Sequence, residues 1–164
     1  MTYEIRPITK RDADDIATWQ YPTPYALYSL TAEVIPLLLD PLKRYFAVRD
    51  VADDLVGYCC FGQEARVMGG EYPESESSVL DIGVGMRPER VGEGNGRGFV
   101  GAILLYAAQR YKPARFRVTI AQFNKRSLRT FESLRFEESY RFKRPGDHLV
   151  FIQLERQAHL NEHL

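Results

Sequence analysis

Apolar residues in the first half of the chain come in short runs, and their spacing predicts brief strands and helices. The segment 12–19 places Ile16 and Trp19 on one helical face and carries an acidic first turn, which suits the helix dipole. Thr31 caps a second helical pattern, which Pro36 interrupts. The elements predicted here are strands at 3–7, 44–49 and 55–61 and helices at 12–19 and 31–39.

The second half shows a sharper alternation of strand and helix patterns. Strands alternating with helices are typical of one mixed sheet with helices on its faces. We therefore predict an α/β fold (a mixed α+β sheet) and a single domain over residues 1–164. The predicted strands lie at 79–86, 116–121, 136–143 and 148–154, the helices at 96–111 and 125–134, and a turn at 144–147 closes the final hairpin.

Three other segments lack a regular pattern. Residues 21–30 hold two prolines and three tyrosines, which favours a shaped loop over a long helix. Residues 62–78 are polar and contain paired glycines, so we predict a mobile loop or an irregular hairpin. Residues 157–164 resemble a polar tail.

Composition and charge narrow the class of protein. The chain has 164 residues, with 22 Lys plus Arg against 22 Asp plus Glu. This balance argues against a nucleic-acid or membrane-surface binder, because such proteins usually carry a basic excess. No apolar run suggests a membrane span or a signal peptide, and the cysteines, Cys59 and Cys60, are adjacent. A reducing cytoplasm is the expected location, with no nucleic acid and no membrane as partners.

The most informative segment is the glycine-rich turn at 92–98. An apolar strand runs into glycines at alternate positions, 92, 94, 96 and 98, and then into a helix. Such glycines let a backbone turn with its N–H groups pointing outward, and a helix N-terminus then attracts a phosphate or pyrophosphate. A purely structural turn would need only one or two of them. The pattern therefore favours an anion site.

Two other phosphate-binding motifs fit less well. A Walker A loop requires a lysine, and none lies between Gly83 and Tyr111. The dinucleotide fingerprint G-x-G-x-x-G occurs at Gly96, Gly98 and Gly101. However, the acidic residue expected about 20 positions later is missing. A nucleotide-binding protein remains an alternative, but a weak one.

Two motifs resemble those of the GNAT superfamily of N-acetyltransferases, over roughly residues 79–142. Residues 89–94 (ERVGEG) are similar to its Arg/Gln-x-x-Gly-x-Gly/Ala turn, and residues 124–136 (NKRSLRTFESLRF) to its Asn-x-x-Ala/Ser-x-x-x-Tyr/Phe-Glu-x-x-Gly-Phe motif. The resemblance implies a GNAT-like acyl-CoA N-acyltransferase domain, acetyl-CoA as cosubstrate and no metal. The cofactor-binding residues that it implies are Gly85, Met86, Val91, Gly92, Glu93, Gly94, Asn95, Gly96, Arg97, Asn124, Ser127 and Phe131.

The sequence departs from the family pattern in its charges. Glu89 and Glu93 add negative charge near the implied pyrophosphate, which weakens binding unless it is offset. Arg87, Arg90 and Arg97 are close enough in sequence to offset it. On the later helix, Lys125, Arg126 and Arg129 form either a contact for the 3′-phosphate or a solvated charged face.

Acetyl transfer to an amine requires that the amine lose a proton, that a donor bind the carbonyl oxygen and that the thiolate leave. Phe131 stands where many relatives carry a tyrosine that protonates the thiolate, and Arg135 replaces the usual glycine of that motif. Tyr140 on the following strand is a candidate acid, or an ordinary sheet tyrosine. Asp81, flanked by apolar residues in the strand before the turn, is a candidate base. A structural role for Asp81 and a water relay are the alternatives.

The acceptor is expected to be a small-molecule or peptide amine, and the protein a monomer or homodimer. A non-catalytic CoA-binding sensor is the main alternative function, because Phe131 cannot act as an acid. By resemblance, an aromatic group before the second helix lines the acceptor pocket, unless it serves packing alone: Trp19, Tyr21, Tyr25 and Tyr28.

Overall fold

The computed structural model describes residues 2–74 and 78–159. Within them, seven strands form one mixed sheet in the order β1-β2-β3-β4-β5-β7-β6, flanked by four α-helices. The strands are β1 Glu4–Pro7, β2 Tyr45–Arg49, β3 Leu55–Phe61, β4 Val79–Met86, β5 Arg115–Ala121, β6 Glu137–Lys143 and β7 Val150–Gln157. The helices are α1 Lys10–Ile16, α2 Ile35–Leu39, α3 Gly96–Tyr111 and α4 Lys125–Ser133. No helix in these two ranges is long and apolar enough to span a membrane.

Two layers of helices cover the sheet, because alternate residues of each strand face opposite sides. On β2, Phe46 and Val48 pack into the larger core with α3 and α4, whereas Ala47 packs into a second core with α1 and α2. The buried residues of α3 form the centre of the larger core: Phe99, Val100, Ile103, Leu104 and Ala107. The predicted α/β class, with helices on both faces of a mixed sheet, is confirmed.

For β3, β4 and α3, the bounds in the structure are the same as those predicted from the sequence. Helix α1 begins earlier than predicted because Thr9 and Asp12 form a capping box, in which each side chain accepts a backbone N–H of the other residue. Before α2 the chain makes a separate 3₁₀ turn at Ala32–Val34. Pro36 therefore lies in the first turn of α2, where proline is tolerated.

The C-terminal strand lies later than predicted. The segment predicted at 148–154 is the strand Val150–Gln157, since a loop with left-handed residues at Gly146 and His148 precedes it. Gln157 thus belongs to the sheet rather than to a tail, and Ala158 is buried, with its N–H donating to the carbonyl of Ala114. The rest of the predicted tail, 160–164, lies outside the described residues.

The polar segment after β3 is packed against the sheet over residues 62–74. The Tyr72 hydroxyl lies 2.7 Å from the Thr119 hydroxyl of β5. Buried Gln153 of β7 accepts from the N–H of Glu71 at 2.7 Å and donates to its carbonyl at 3.0 Å. These bonds attach the segment to β5 and β7. Residues 75–77 of the predicted loop lie outside the described part.

Candidate functional site

The sheet opens between its two central strands. Strands β4 and β5 pair in parallel only at Val79–Arg115, Leu80–Phe116 and Asp81–Arg117. Beyond this point β4 stays paired with β3, and β5 stays paired with β7. The two strands therefore diverge, and a cleft of about 840 Å³ lies between them.

The edge of β4 that faces this cleft carries free backbone groups. The carbonyl of Asp81 and the N–H of Arg87 both bond toward the β3 side, at 2.9 and 2.8 Å. Backbone groups of an antiparallel strand alternate in direction, so Ile82, Val84 and Met86 direct theirs toward the cleft. In agreement, the Met86 carbonyl accepts a 2.6 Å hydrogen bond from the Tyr21 hydroxyl. Such an edge can pair with an extended ligand as with another strand.

The structure brings most of the predicted cofactor residues to this one cleft. Both sequence motifs contribute to its lining, although they lie far apart in the chain. Glu93 and Asn95 are the two that do not line it. The predicted residues found in the lining are Gly85, Met86, Val91, Gly92, Gly94, Gly96, Arg97, Asn124, Ser127 and Phe131.

The glycine-rich turn forms one end of the cleft. Gly92 and Gly94 have φ angles of +86° and +82°, a conformation that glycine adopts without strain. A Cβ at Gly94 would meet no atom within 4 Å, so open space lies beside this turn. The turn leads into α3 at Gly96, whose first N–H groups attract anions.

The glycines of the dinucleotide fingerprint do not come together in a turn at the cleft. Gly98 and Gly101 lie inside α3 rather than in a turn, and neither lines the cleft. Gly98 instead faces Tyr3 of the N-terminal segment, and a Cβ added at Gly98 would lie 3.7 Å from the tyrosine ring, as expected for close packing of helix and sheet. The geometry thus gives no support to a nucleotide site built on these glycines.

Arginines supply the positive charge of the cleft. Arg97 of α3 and two residues of α4, Arg126 and Arg129, line it. Arg87 is instead paired with Asp15, and Arg90 with Asp50 at 3.4 Å. Neither Glu89 nor Glu93 lines the cleft. The positive charge of the cleft therefore comes from α4 as well as from the turn.

Four tyrosines also line the cleft. Tyr21, Tyr25 and Tyr28 come from the loop before α2, and Tyr58 from β3. Trp19 does not line the cleft and is buried in the second core. Burial raises the pKa of Tyr21 to about 12 and also raises the pKa of Tyr28, so both phenols are protonated at neutral pH.

Helix α4 begins at the cleft and is held there by Asn124. The Asn124 side chain accepts the N–H of Ser127 at 3.2 Å and donates to the Tyr28 hydroxyl at 3.4 Å. Phe131 is buried, lines the cleft and packs edge-on against Phe136 at 5.2 Å. The following turn keeps a glycine-like backbone although it contains Arg135, whose φ is +70°.

The two candidate catalytic residues lie elsewhere. Asp81 is buried and accepts hydrogen bonds from Arg117 at 2.7 and 3.0 Å and from Arg66 at 3.0 Å. Tyr140 lies on the edge strand β6, is 39% exposed and stacks on Phe142. Neither side chain lines the cleft, so the geometry does not favour Asp81 as base or Tyr140 as acid.

Sequence reasoning did not identify Tyr58 or Thr119, which also line the cleft. Tyr58 pairs directly with Gly85 across β3 and β4, and a Cβ at Gly85 would collide with the tyrosine ring. The two glycines of the strand ending in GVGM were the local signal that a bulky neighbour lies beside β4.

No protein-family model matches the sequence, and no curated protein compared with it matches either. Solved structures do match in fold. A GNAT-family acetyltransferase from Bacillus anthracis has a TM-score of 0.74 and 17% identity, over 96% of both chains. A chimera of the spermidine N-acetyltransferase SpeG from Vibrio cholerae and hSSAT has a TM-score of 0.73 and 16% identity, again over 96% of both chains.

A third structure was solved with a ligand. The provisionally assigned acetyltransferase yncA from Salmonella typhimurium, solved with its cofactor acetyl-CoA, has a TM-score of 0.69 and 16% identity. The match covers 98% of this chain and 96% of that one. Together these likenesses confirm the predicted fold, which is that of GNAT acetyltransferases.

Proposed function

We propose that this protein is a GNAT-family N-acetyltransferase that uses acetyl-CoA and acetylates a primary amine. The observation that carries the proposal is the convergence of two separate motifs on the cleft between β4 and β5. The turn at 92–98 and the start of α4 at Asn124 both line it. The fold and this shared cleft favour acetyl transfer over the other uses of a glycine-rich turn.

The residues present fit acetyl-CoA. The left-handed turn at Gly92 and Gly94 and the start of α3 would hold the pyrophosphate, and Arg97 and Arg126 supply positive charge beside it. The cleft-facing backbone groups of Val84 and the N–H of Met86 would bond the amide groups of the pantetheine arm, while the Met86 carbonyl is held by Tyr21. A cleft of about 840 Å³ is large enough for part of such a ligand and an acceptor.

The reaction then follows from the cleft's own groups. The amine nitrogen would form a bond to the thioester carbonyl carbon as the C–S bond breaks. The amine would release its proton to water, and the leaving sulfur would take a proton from an acid of the cleft, which water then reprotonates. Cleft-facing N–H groups of β4 would donate to the carbonyl oxygen. The described lining contains no carboxylate that could act as a base. The ammonium group would therefore lose its proton to solvent first, and the neutral amine would then bind and react.

We assign the acid role to Tyr28. Its hydroxyl oxygen accepts from Asn124, which leaves its own proton available to the cleft. Its raised pKa keeps that proton in place through the neutral range. Tyr28 would thus replace, from another part of the chain, the hydroxyl that Phe131 lacks.

Tyr28→Phe is expected to lower kcat by roughly 10- to 100-fold, below the range of about 100- to 10,000-fold usual for a lost general acid, because a thiolate leaves fairly easily. The ring remains, so the affinity for acetyl-CoA should not change. Steady-state kinetics and binding of acetyl-CoA check this. Tyr140→Phe is the matched comparison, and a larger loss there than in Tyr28→Phe would contradict the assignment.

The proposed function is tested by ligand binding followed by turnover. Acetyl-CoA at about 100 times its Kd should stabilise the fold by about 2.7 kcal/mol, which raises Tm by roughly 5 to 11 °C. NAD and ATP at the same concentration should give no comparable rise. Release of CoA with an amine panel then separates an enzyme from a sensor. Binding without release across the panel would support the sensor, and stabilisation by NAD or ATP alone would overturn the cofactor assignment.

A further inference from the structure

The acceptor side of the cleft is an aromatic wall. Tyr21, Tyr25, Tyr28 and Tyr58 all line it. Behind them, the Phe123 ring lies 5.8 Å from that of Tyr25 and 6.1 Å from that of Tyr28. The wall is anchored at several points, because Tyr21 bonds to Met86 and Tyr28 to Asn124. The rings of Tyr21 and Tyr28 are therefore held in place at the cleft by hydrogen bonds of their hydroxyl groups.

The charges around this wall do not suit a polycation. In the part of the chain that the structure describes, no Asp or Glu lines the cleft, whereas Arg97, Arg126 and Arg129 do. The Arg126 guanidinium lies 5.5 Å from the centre of the Tyr25 ring. Three other charges act from outside the lining. Besides burial, which is the main cause, Glu89 raises the pKa of Tyr21 and Arg87 lowers it. Arg144 acts to lower the pKa of Tyr28, against the larger effect of burial.

We propose that the acceptor is a primary monoamine on an aromatic body, with no second charged group. This inference rests on the proposed function and narrows its acceptor. A second ammonium group would lose water without gaining a carboxylate partner, which is unfavourable. A carboxylate would also lose water, because the arginines of the lining are already paired with the cofactor's phosphates in the proposed complex. An aromatic body gains edge and face contacts with the tyrosine rings beyond simple burial.

The inference separates this cleft from that of the spermidine N-acetyltransferase with a similar fold, whose named substrate carries several amines. The fold is shared, but specificity depends on the side chains that line the site. The described lining of this cleft contains tyrosine rings and no carboxylate that could pair with the additional ammonium groups of a polyamine.

A panel of four amines tests the proposal on the full-length protein with acetyl-CoA. 2-Phenylethylamine represents the proposed class, and 2-cyclohexylethylamine has a similar size without the aromatic ring. Spermidine adds further ammonium groups, and phenylalanine adds a carboxylate. We expect kcat/KM for 2-phenylethylamine to exceed that for spermidine by at least about tenfold, and that for 2-cyclohexylethylamine by about two- to tenfold.

A matched pair of variants tests the charge argument. Tyr25→Glu places a carboxylate in the wall, and Tyr25→Gln has the same shape without the charge. The ratio of kcat/KM for spermidine to that for 2-phenylethylamine should be at least about tenfold higher in Tyr25→Glu than in Tyr25→Gln. Binding of acetyl-CoA, measured separately, shows whether each variant keeps its cofactor site.

Each outcome has a distinct meaning. A preference for spermidine or for phenylalanine in the wild type would overturn the inference, with the proposed function intact. Equal rates for the phenyl and cyclohexyl amines would overturn its aromatic part. Equal ratios in Tyr25→Glu and Tyr25→Gln would show that charge in the wall does not set specificity. If no amine releases CoA although acetyl-CoA binds, the proposed function itself fails, and the inference with it.

Discussion

Gly94→Asp is expected to weaken acetyl-CoA binding by at least about 30-fold and so to remove most of the thermal stabilisation that the ligand provides. Gly94 has a φ of +82° and open space beside it, so the added side chain would lie where the cofactor's pyrophosphate is proposed to bind. Two like charges about 4 Å apart repel by about 4 kcal/mol at the effective dielectric near a protein surface and by about 1 kcal/mol in bulk water, and a 30-fold loss corresponds to about 2 kcal/mol, between these limits. At a ligand concentration of about 100 times the wild-type Kd, the remaining stabilisation would be below about 1 kcal/mol.

Two controls separate the charge from the backbone. Gly94→Asn has nearly the same shape and the same φ requirement but no charge, so it should bind markedly better than Gly94→Asp. Gly146→Asp makes the same change at a distant turn, where φ is +103° and the space is also open. Differential scanning fluorimetry and calorimetric titration of acetyl-CoA measure all three. Equal losses in Gly94→Asn and Gly94→Asp would mean that charge is not the cause, and unchanged binding in both would remove the turn from the site.

Asp81→Leu is expected to destabilise the fold by about 3 to 5 kcal/mol, because it removes one partner of a buried ion pair. Asp81 and Arg117 are both only 2% exposed, and the carboxylate accepts two hydrogen bonds from this arginine. For a domain of this size, the loss corresponds to a fall in Tm of roughly 6 to 20 °C. Thermal and denaturant unfolding measure it.

The double variant Asp81→Leu with Arg117→Met is the matched control. Replacing both charged partners by apolar residues is often neutral, so much of the lost stability should return. Activity per folded molecule in the double variant then tests the alternative role of Asp81. If activity falls strongly while stability is restored, Asp81 takes part in catalysis. If the single variant is as stable as the wild type, the ion pair is not the structural element that its burial indicates.

The acid role shows how local and long-range information differ. The sequence motif identified position 131 and showed that Phe131 lacks a hydroxyl. The sequence offered Tyr140 as the candidate acid, because it is the next tyrosine along the chain, but it lies on the outer strand β6. The tyrosine whose hydroxyl bonds to Asn124, the cap of α4, is Tyr28, which is 96 residues away from Asn124 in sequence. No pattern near Tyr28 indicates this contact, because it depends on how the loop before α2 crosses the sheet.

The sequence by itself determined the features that depend on backbone chemistry over a few residues. The apolar strand pattern predicted β4, and apolar residues at helical spacing predicted α3. The closely spaced glycines indicated the turn in which Gly92 and Gly94 have positive φ angles. These signals are local, since a φ angle or a helical face depends on the residue and its near neighbours.

Only the tertiary structure decided the features that depend on which elements meet. It separated β4 from β5 to open the cleft, and it placed β7 between β5 and β6. It also buried Asp81 against Arg117, although the strand pattern around Asp81 is the same for a buried ion pair as for a catalytic base. The physical reason is that the neighbours of Asp81 in the strand face the opposite side of the sheet and do not report its surroundings, whereas its partner Arg117 comes from packing between segments distant in sequence.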